Sequence, residues 1–124
     1  MKILISNSSS HPIYKQIVDQ IKMNIVKNDL KSGDSLPSIR KLAKDLHVSV
    51  ITTKRAYEEL EKEGLIETVP GKGSFISYLD KEVLKEKNST IIEEKVRAIV
   101  KESKLLGFKY EDLNQIIKVL FQEG

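Results

Sequence analysis

The fold is decided by residues 36–66, which read LPSIRKLAKDLHVSVITTKRAYEELEKEGLI. This stretch predicts two short helices, the first with Ser38 as its N-cap and the second running from the N-cap Ser49 to about Glu63. The two residues before Ser49 form a tight turn between them. The apolar residues that recur at helical spacing and are expected to face inward are Ile39, Leu42, Ala43, Leu46, Ala56, Tyr57 and Leu60. Two short helices joined in this way are typical of a helix-turn-helix.

A β-hairpin is predicted directly behind these helices. Residues 65–69 and 74–78 alternate or run apolar on either side of a tip that contains Gly71, Lys72 and Gly73. A wing in a DNA-binding domain needs a close backbone approach to phosphates and a cation at the same place, and a Gly-Lys-Gly tip offers both. The hairpin therefore favours a winged helix-turn-helix.

The charges of the chain are concentrated where a DNA groove would need them. The net charge is only +3, but residues 36–57 hold five bases against one acid, and residues 58–67 hold five acids against one base. A helix dipole favours acids in the first turn and bases in the last, so the second helix carries its charges in the reverse order. Pairing of Lys54 and Arg55 with glutamates four residues later is the simpler explanation, but such pairs contribute only about 0.2–0.5 kcal/mol each, and less in this orientation. The charge order favours insertion of the N-terminal end into a DNA groove.

An amphipathic helix precedes this unit. It is expected to begin near Pro12, which suits a first helical turn, and to end near Asn28, which tolerates the left-handed conformation of a C-cap. Residues 1–11 are expected to form a loose lead-in. The apolar stripe of this helix consists of Tyr14, Ile17, Val18, Ile21 and Ile25. The aromatic residues expected to pack in the core rather than stack on bases are Tyr14, Tyr57 and Phe75.

The last third of the chain predicts a helical tail. A charged helix is expected from Leu79 to about Leu106, with residues 88–90 either interrupting it or capping its second half, and Gly107 separates it from a final amphipathic helix. The apolar seams expected to pair two copies of the chain are Ile92, Val96, Ile99 and Leu106, and then Leu113, Ile116, Ile117, Leu120 and Phe121. So short a helical hairpin would hide only part of this surface, which favours a homodimer. The alternative is a monomer whose tail packs on its own winged helix.

These elements predict a mostly α fold with a small β-hairpin. A winged helix-turn-helix DNA-binding domain is expected at residues 1–78, and a helical dimerisation or effector tail at residues 79–124. No run approaches the roughly 18 apolar residues of a membrane span, no signal-peptide pattern occurs, and the absence of cysteine fits a reducing cytoplasm. His11 and His47 are far apart and have no clustered acids, so we expect no metal or cofactor. Because no nucleophile–base pairing stands out, we expect no enzyme.

Four strings carry a resemblance to a known family: LPSIRKLA at 36–43, VS at 48–49, RAYEELEKEGLI at 55–66 and GKGSF at 71–75. In this order and spacing they closely resemble the GntR family of bacterial regulators, over residues 12 to about 78. The tail is too short for the large ligand-binding domains of the best-known subfamilies, and with about two helices it resembles the YtrA-like subfamily. That resemblance implies a dimeric repressor, often linked to the operon of an ABC transporter.

The resemblance also implies a set of DNA-contacting residues. Arg40 would contact a phosphate or a groove, and Ser38 adds a hydroxyl contact or serves only as the cap, which is the role we favour. Val50 and Ile51 stand where the family commonly has arginine or another polar residue, which favours contact with thymine methyl groups over arginine-to-guanine readout. Thr53 faces either base edges or the helix packing. The other residues that match contact positions are Ser49, Thr52 and Lys54 in the recognition helix and Gly71, Lys72 and Gly73 at the wing tip.

The sequence therefore predicts a regulator that binds double-stranded DNA as a homodimer at a palindromic operator and represses transcription. The alternative function is a winged helix that binds an acidic protein partner, and the wing and the reversed helix charges argue against it. An RNA-binding winged helix is a weaker third interpretation, because no aromatic stacking residues are displayed. The sequence leaves open whether a small-molecule effector binds and which genes are regulated.

Overall fold

The computed structural model describes all 124 residues as five helices and one two-stranded antiparallel hairpin, the mostly helical fold that the sequence predicts. Internal contacts divide the chain into residues 1–79, here called the head, and residues 80–124, here called the tail. None of the helices is both long and apolar enough to span a bilayer. The elements are α1 (Ile13–Val26), α2 (Ile39–Leu46), α3 (Val50–Lys62), β1 (Ile66–Val69), β2 (Gly73–Ile76), α4 (Lys81–Leu105) and α5 (Tyr110–Glu123).

Two N-caps and one left-handed residue form the helix-turn-helix of α2 and α3. The Ser38 Oγ accepts a hydrogen bond from the Lys41 N–H at 3.1 Å, and the Ser49 Oγ accepts one from the Thr52 N–H at 3.0 Å. Between the two helices His47 has a φ of 57°, the left-handed conformation that ends α2. Each cap satisfies an N–H group that its helix leaves without a partner, and loss of such a cap costs about 0.5–2 kcal/mol. The predicted caps and turn are confirmed.

The core of the head is built largely by α1 and α3. Ile17 and Ile21 of α1 and Leu60 of α3 are fully buried, each 0 % exposed. The hydroxyl of the buried Tyr57 donates a 2.6 Å hydrogen bond to the Pro37 carbonyl oxygen, and burial raises the pKa of this phenol. That hydrogen bond avoids an unpaired buried hydroxyl and ties α3 to the segment before α2. The inner face of α3 therefore packs in the core, and its outer face is exposed to solvent.

A third segment extends the predicted hairpin. β1 and β2 pair with Ile66 opposite Ile76, and residues 33–36 run beside β2 on its other edge. There the Leu36 N–H donates to the Ser74 carbonyl oxygen at 2.9 Å. Sequence reasoning missed this pairing, because four residues are too few to show an alternating pattern. The extra segment anchors the base of the wing to the loop that leads into α2.

Residues 1–11, expected to be a loose lead-in, are instead held along α1. The Gln20 side chain accepts a hydrogen bond from the Leu4 N–H at 2.7 Å and donates one to the Leu4 carbonyl oxygen. Gln16, one turn earlier, bonds both backbone groups of Ser6 in the same manner. A glutamine amide carries both a donor and an acceptor, so it can satisfy both groups of one residue. The prediction was wrong because pairing between residues 10 and 16 positions apart leaves no local pattern.

The tail consists of two helices without a buried residue. The first of them, α4, is continuous over 25 residues, so residues 88–90 neither interrupt nor cap it. Thr90 lies within the helix, and its hydroxyl donates back to the carbonyl oxygen of the preceding turn at 3.2 Å. Gly107, with a φ of 82°, follows the end of α4, and the Asp112 carboxylate accepts from the Lys109 N–H at 2.9 Å at the start of α5. The break predicted at the glycine is confirmed.

Candidate nucleic-acid interface

The N-terminal end of α3 presents an exposed apolar and cationic surface. Ile51 is 81 % exposed and Val50 is 45 % exposed, and the side chain of Lys54 is 64 % exposed. These residues take no part in the core of the head, which the opposite face of α3 contacts. The major groove of DNA offers one apolar contact, the thymine methyl group, so such a surface can distinguish bases by apolar packing.

The hydroxyl groups of two other predicted contact residues at this end already make hydrogen bonds within the helix. The Ser49 Oγ accepts from the Thr52 N–H and donates to the Thr52 Oγ1 at 2.8 Å. The Ser49 hydroxyl is therefore occupied by capping. Thr52 is half-buried, and its own hydroxyl proton is not used by any acceptor in the protein. This group can still donate to a phosphate oxygen.

Thr53 is not available for a base contact. It is 0 % exposed, and its Oγ1 donates to the Ser49 carbonyl oxygen at 3.1 Å. Position 53 precedes the buried Ala56 and Tyr57 by three and four residues and therefore shares their face of the helix. Of the two placements that the sequence leaves open, the structure selects the helix packing and removes this residue from the predicted interface.

The start of α2 supplies one free guanidinium. The Arg40 side chain is exposed and makes no hydrogen bond or ion pair within the protein, whereas the neighbouring Lys41 pairs with Asp45 at 2.9 Å. The Ser38 hydroxyl is used as the cap, as we favoured. A guanidinium whose N–H groups lack protein acceptors is suited to bind phosphate oxygens.

The two basic residues in the first half of α3 differ in their surroundings. Lys54 forms an exposed pair with Glu58 at 3.9 Å, a contact that contributes at most about 1 kcal/mol and is screened by salt. Arg55 does not pair with Glu59. Instead, its guanidinium lies 3.8 Å from the centroid of the Tyr14 ring. Tyr14, expected in the core, is half-buried and packs against this cation.

The wing tip presents Lys72 between two glycines with positive φ. The φ angles of Gly71 and Gly73 are 77° and 112°, a region that other residues rarely adopt. The Lys72 side chain is exposed and has no ion pair, while its N–H closes the turn by donating to the Val69 carbonyl oxygen at 2.9 Å. Because the glycines carry no side chain, the backbone of the tip can come close to a sugar-phosphate strand.

Residues 1–11, here called the arm, also reach this end of the head. Ile5 and Asn7 line one groove together with Ile13 of α1, Val48 of the turn and Thr52 of α3. The arm is therefore a neighbour of the recognition helix, which sequence reasoning missed. The one trace of it in the sequence is the pair of glutamines one turn apart on α1, which places two amides on one helix face but does not identify the segment that they bind.

The predicted dimerisation residues are almost all exposed on the tail helices. Eight of the nine are exposed, from 39 % for Ile117 to 83 % for Phe121, and Leu113 is half-buried. Residues of both helices line a shallow apolar groove, to which Phe108, absent from the prediction, also contributes. One chain alone therefore leaves these side chains in contact with water.

Comparison with known proteins assigns these features to one family. The sequence model described as "Bacterial regulatory proteins, gntR family" matches residues 13–76. The chain belongs to the GntR family. It is 40 % identical over 116 residues to the HTH-type transcriptional repressor YtrA of Bacillus subtilis (strain 168), an alignment that covers 94 % of this chain and 89 % of that protein. This GntR-family protein therefore falls in the YtrA-like subfamily.

Solved structures support the same assignment. A GntR family transcriptional regulator from Listeria monocytogenes matches with a TM-score of 0.71 at 35 % identity, over 92 % of this chain and 97 % of that one. The DNA-binding domain of AraR in complex with operator ORX1 matches with a TM-score of 0.55 at 25 % identity, over 62 % of this chain and 96 % of that one. This GntR-family protein is a winged-helix DNA-binding transcription regulator, and its named relatives are regulators rather than enzymes.

Proposed function

We propose that this GntR-family regulator is a homodimeric repressor that occupies a palindromic operator. The proposal is carried by the capped and exposed N-terminal end of α3, where Val50, Ile51 and Lys54 project without a role in the core. A helix N-terminus with apolar and cationic side chains suits the major groove, because its free N–H groups also favour phosphates. The relative YtrA is itself named a transcriptional repressor.

Within this interface we assign base contacts to Val50 and Ile51 and backbone contacts to the cations. Arg40 and Lys72 have no partner in the protein, so binding a phosphate breaks no internal ion pair. Lys54 gives up only its exposed 3.9 Å contact with a glutamate. The residues proposed to contact DNA are Arg40, Val50, Ile51, Thr52, Lys54, Gly71, Lys72 and Gly73, while the hydroxyls of Ser38 and Ser49 serve as helix caps.

The tail is proposed to join the two copies. Its helices bury no residue within one chain, although each carries a seam of large apolar side chains. Contiguous exposed apolar surface of this kind marks an interaction site. We propose a second copy as the occupant, because two-fold pairing would place two recognition helices on the DNA with a fixed half-site spacing. A palindromic operator follows from that symmetry.

The genes under control are proposed to include a transporter operon. This part of the proposal rests on the resemblance to the YtrA-like subfamily. The expected finding is a flanking pair of genes that encode an ATPase and a permease, with the operator in their shared promoter. If the operator lies at genes without a transporter, the regulated target is different while DNA binding is unaffected.

A mobility-shift assay with the promoter region of the chain's own gene tests the central proposal. The full chain should retain this duplex in the presence of excess unrelated duplex and of single-stranded RNA. Light scattering of the free protein should give the mass of two chains. Equal binding to all three nucleic acids would refute sequence-specific recognition, and no binding to any of them would favour a protein partner for this surface.

A further inference from the structure

One cation of the recognition helix has a fixed position that none of the proposed contacts explains. The Arg55 guanidinium stacks on the Tyr14 ring at 3.8 Å from the centroid. Arg55 is exposed, and its five N–H donors find no acceptor within the protein. A cation–π contact with the ring uses no hydrogen-bond acceptor, so the N–H groups of Arg55 stay free. The ring therefore holds the side chain in place, while the N–H groups of the guanidinium still lack acceptors.

Helix geometry places Arg55 on the opposite flank of α3 from Lys54. Consecutive residues of a helix are about 100° apart, and the inner face of α3 is defined by its buried residues. The outer face then runs along Ile51 and Glu58, with Lys54 on one side of that line and Arg55 on the other. The first turn of α1, which contributes Tyr14, lies on the Arg55 side.

A helix that enters the major groove faces two sugar-phosphate strands, one on each flank. We propose that Arg55 contacts the phosphates of the strand opposite the one that Lys54 faces, and that Tyr14 positions it for this contact. The inference rests on the proposed insertion of α3 into the groove. With Lys54 alone, only one wall of the groove would meet a cation of this helix. With both cations, the helix is held between two backbones, which fixes its depth and register.

Tyr14 contributes by reducing the freedom that the arginine must lose on binding. A long free side chain loses rotamer entropy when it is immobilised at an interface, and a side chain that is already stacked loses less. The ring of Tyr14 is half-buried on α1, so it forms a rigid support rather than a second mobile group. A purely structural role, in which the pair only joins α1 to α3, is the alternative that the experiment must separate.

The test uses the full chain, a random-sequence duplex and the promoter duplex of its own gene. Affinity is measured by fluorescence anisotropy over a salt series, together with the thermal unfolding midpoint. Arg55→Ala should weaken binding to both duplexes about three- to tenfold and lower the salt slope by about one unit per half-site. Lys62→Ala, which removes a cation from the far end of the same helix, is the matched control and should leave both quantities near the unsubstituted values.

Two substitutions of Tyr14 test the positioning role of its ring. Tyr14→Phe keeps the ring and should bind DNA like the unsubstituted chain. Tyr14→Leu removes the ring and should weaken binding less than Arg55→Ala does, with an unchanged salt slope, because the charge is still present. Binding by Tyr14→Leu that equals the unsubstituted chain would overturn the positioning role of the ring.

The outcomes distinguish this inference from the proposed function. Unchanged DNA affinity of Arg55→Ala, whether or not its thermal midpoint falls, overturns the phosphate contact and leaves only the structural role. If Arg40→Ala and Lys54→Ala still weaken binding in that case, the DNA interface stands without Arg55. If none of the three substitutions changes the affinity, the placement of the interface itself is wrong.

Discussion

Residues 1–79 bury fifteen apolar side chains, whereas residues 80–124 bury none, although both parts carry apolar residues at helical spacing. The difference lies in the number of elements that can cover one another. In the head, three helices and a hairpin enclose a common core. In the tail, the two helices bury no residue against each other, so their apolar seams stay exposed.

This contrast teaches that the same pattern of residues has two different meanings in one chain. In the head, an apolar stripe indicates which face of a helix meets the core. In the tail, it indicates which face is available to another molecule, because exposed apolar surface of this extent favours association. We infer that the head folds on its own contacts and that the tail gains its burial from the proposed second copy.

A chain that ends at Tyr78 would test this contrast with the largest expected effect. It should fold, because every buried core residue precedes that position. It should be a monomer by light scattering. Since linking two half-site binders raises apparent affinity by about 10²–10⁴, its affinity for a palindromic promoter duplex should fall by a factor in that range. A truncated chain that still dimerises, or binds the palindrome as tightly as the full chain, would assign the tail another role.

Ile17→Ala and Ile117→Ala form a matched pair that sharpens the contrast. Ile17 is 0 % exposed, so its truncation leaves a cavity and should lower the free energy of unfolding by about 2–5 kcal/mol at any protein concentration. Ile117 is 39 % exposed within one chain, and its truncation should act by weakening the dimer. Its effect on the thermal midpoint should therefore depend on protein concentration. A loss that is the same at low and high concentration would show that the tail is stabilised within a single chain.

Arg40→Ala and Lys54→Ala test the outer surface of the head, where side chains are exposed without serving the core. Each should weaken operator binding and leave the thermal midpoint nearly unchanged. A base contact should cost about 1–3 kcal/mol and relax specificity at one position, whereas a phosphate contact should lower the salt slope by about one unit. Retained affinity in both variants, measured by anisotropy beside the Lys62→Ala control, would contradict the assignment of the recognition helix.

Lys72→Ala should have the smallest effect of the series. The wing tip meets mainly the sugar-phosphate backbone in our proposal, so affinity should fall by a similar factor for promoter and random duplexes. A salt series on both duplexes measures this, with a slope reduced by about one unit as the sign of a lost phosphate contact. Loss confined to one operator base pair would instead mean that the wing reads sequence.

Features that depend on neighbouring residues were predictable from the sequence. The caps Ser38 and Ser49, the turn at His47 and the break at Gly107 after α4 all follow from side-chain and backbone chemistry within four residues. The family motifs also predicted the winged helix-turn-helix as a whole. The contact residues themselves remain predictions, apart from Thr53, which burial removes.

Features that depend on two distant segments were not predictable in the same way. The arm of residues 1–11 is held by glutamines 10 and 16 positions away, and no local pattern announces that pairing. Tyr14 was placed in the core because it falls on the apolar stripe of α1, but the structure brings Arg55 over its ring. The helical period predicts on which face of a helix a residue lies, but it does not predict which distant residues contact that face.

The sequence by itself determined the order of the helices and the hairpin and placed their ends to within about two residues, because hydrogen bonding and dihedral preference act over a few residues. It also determined the family, because several motifs stand in a fixed order. Only the tertiary structure decided which side chains of α3 are buried in the core and which cation contacts an aromatic ring. It also decided that the apolar seams of the tail helices stay exposed within one chain. Those outcomes depend on burial and stacking, and both require elements that are distant in the chain to be brought together.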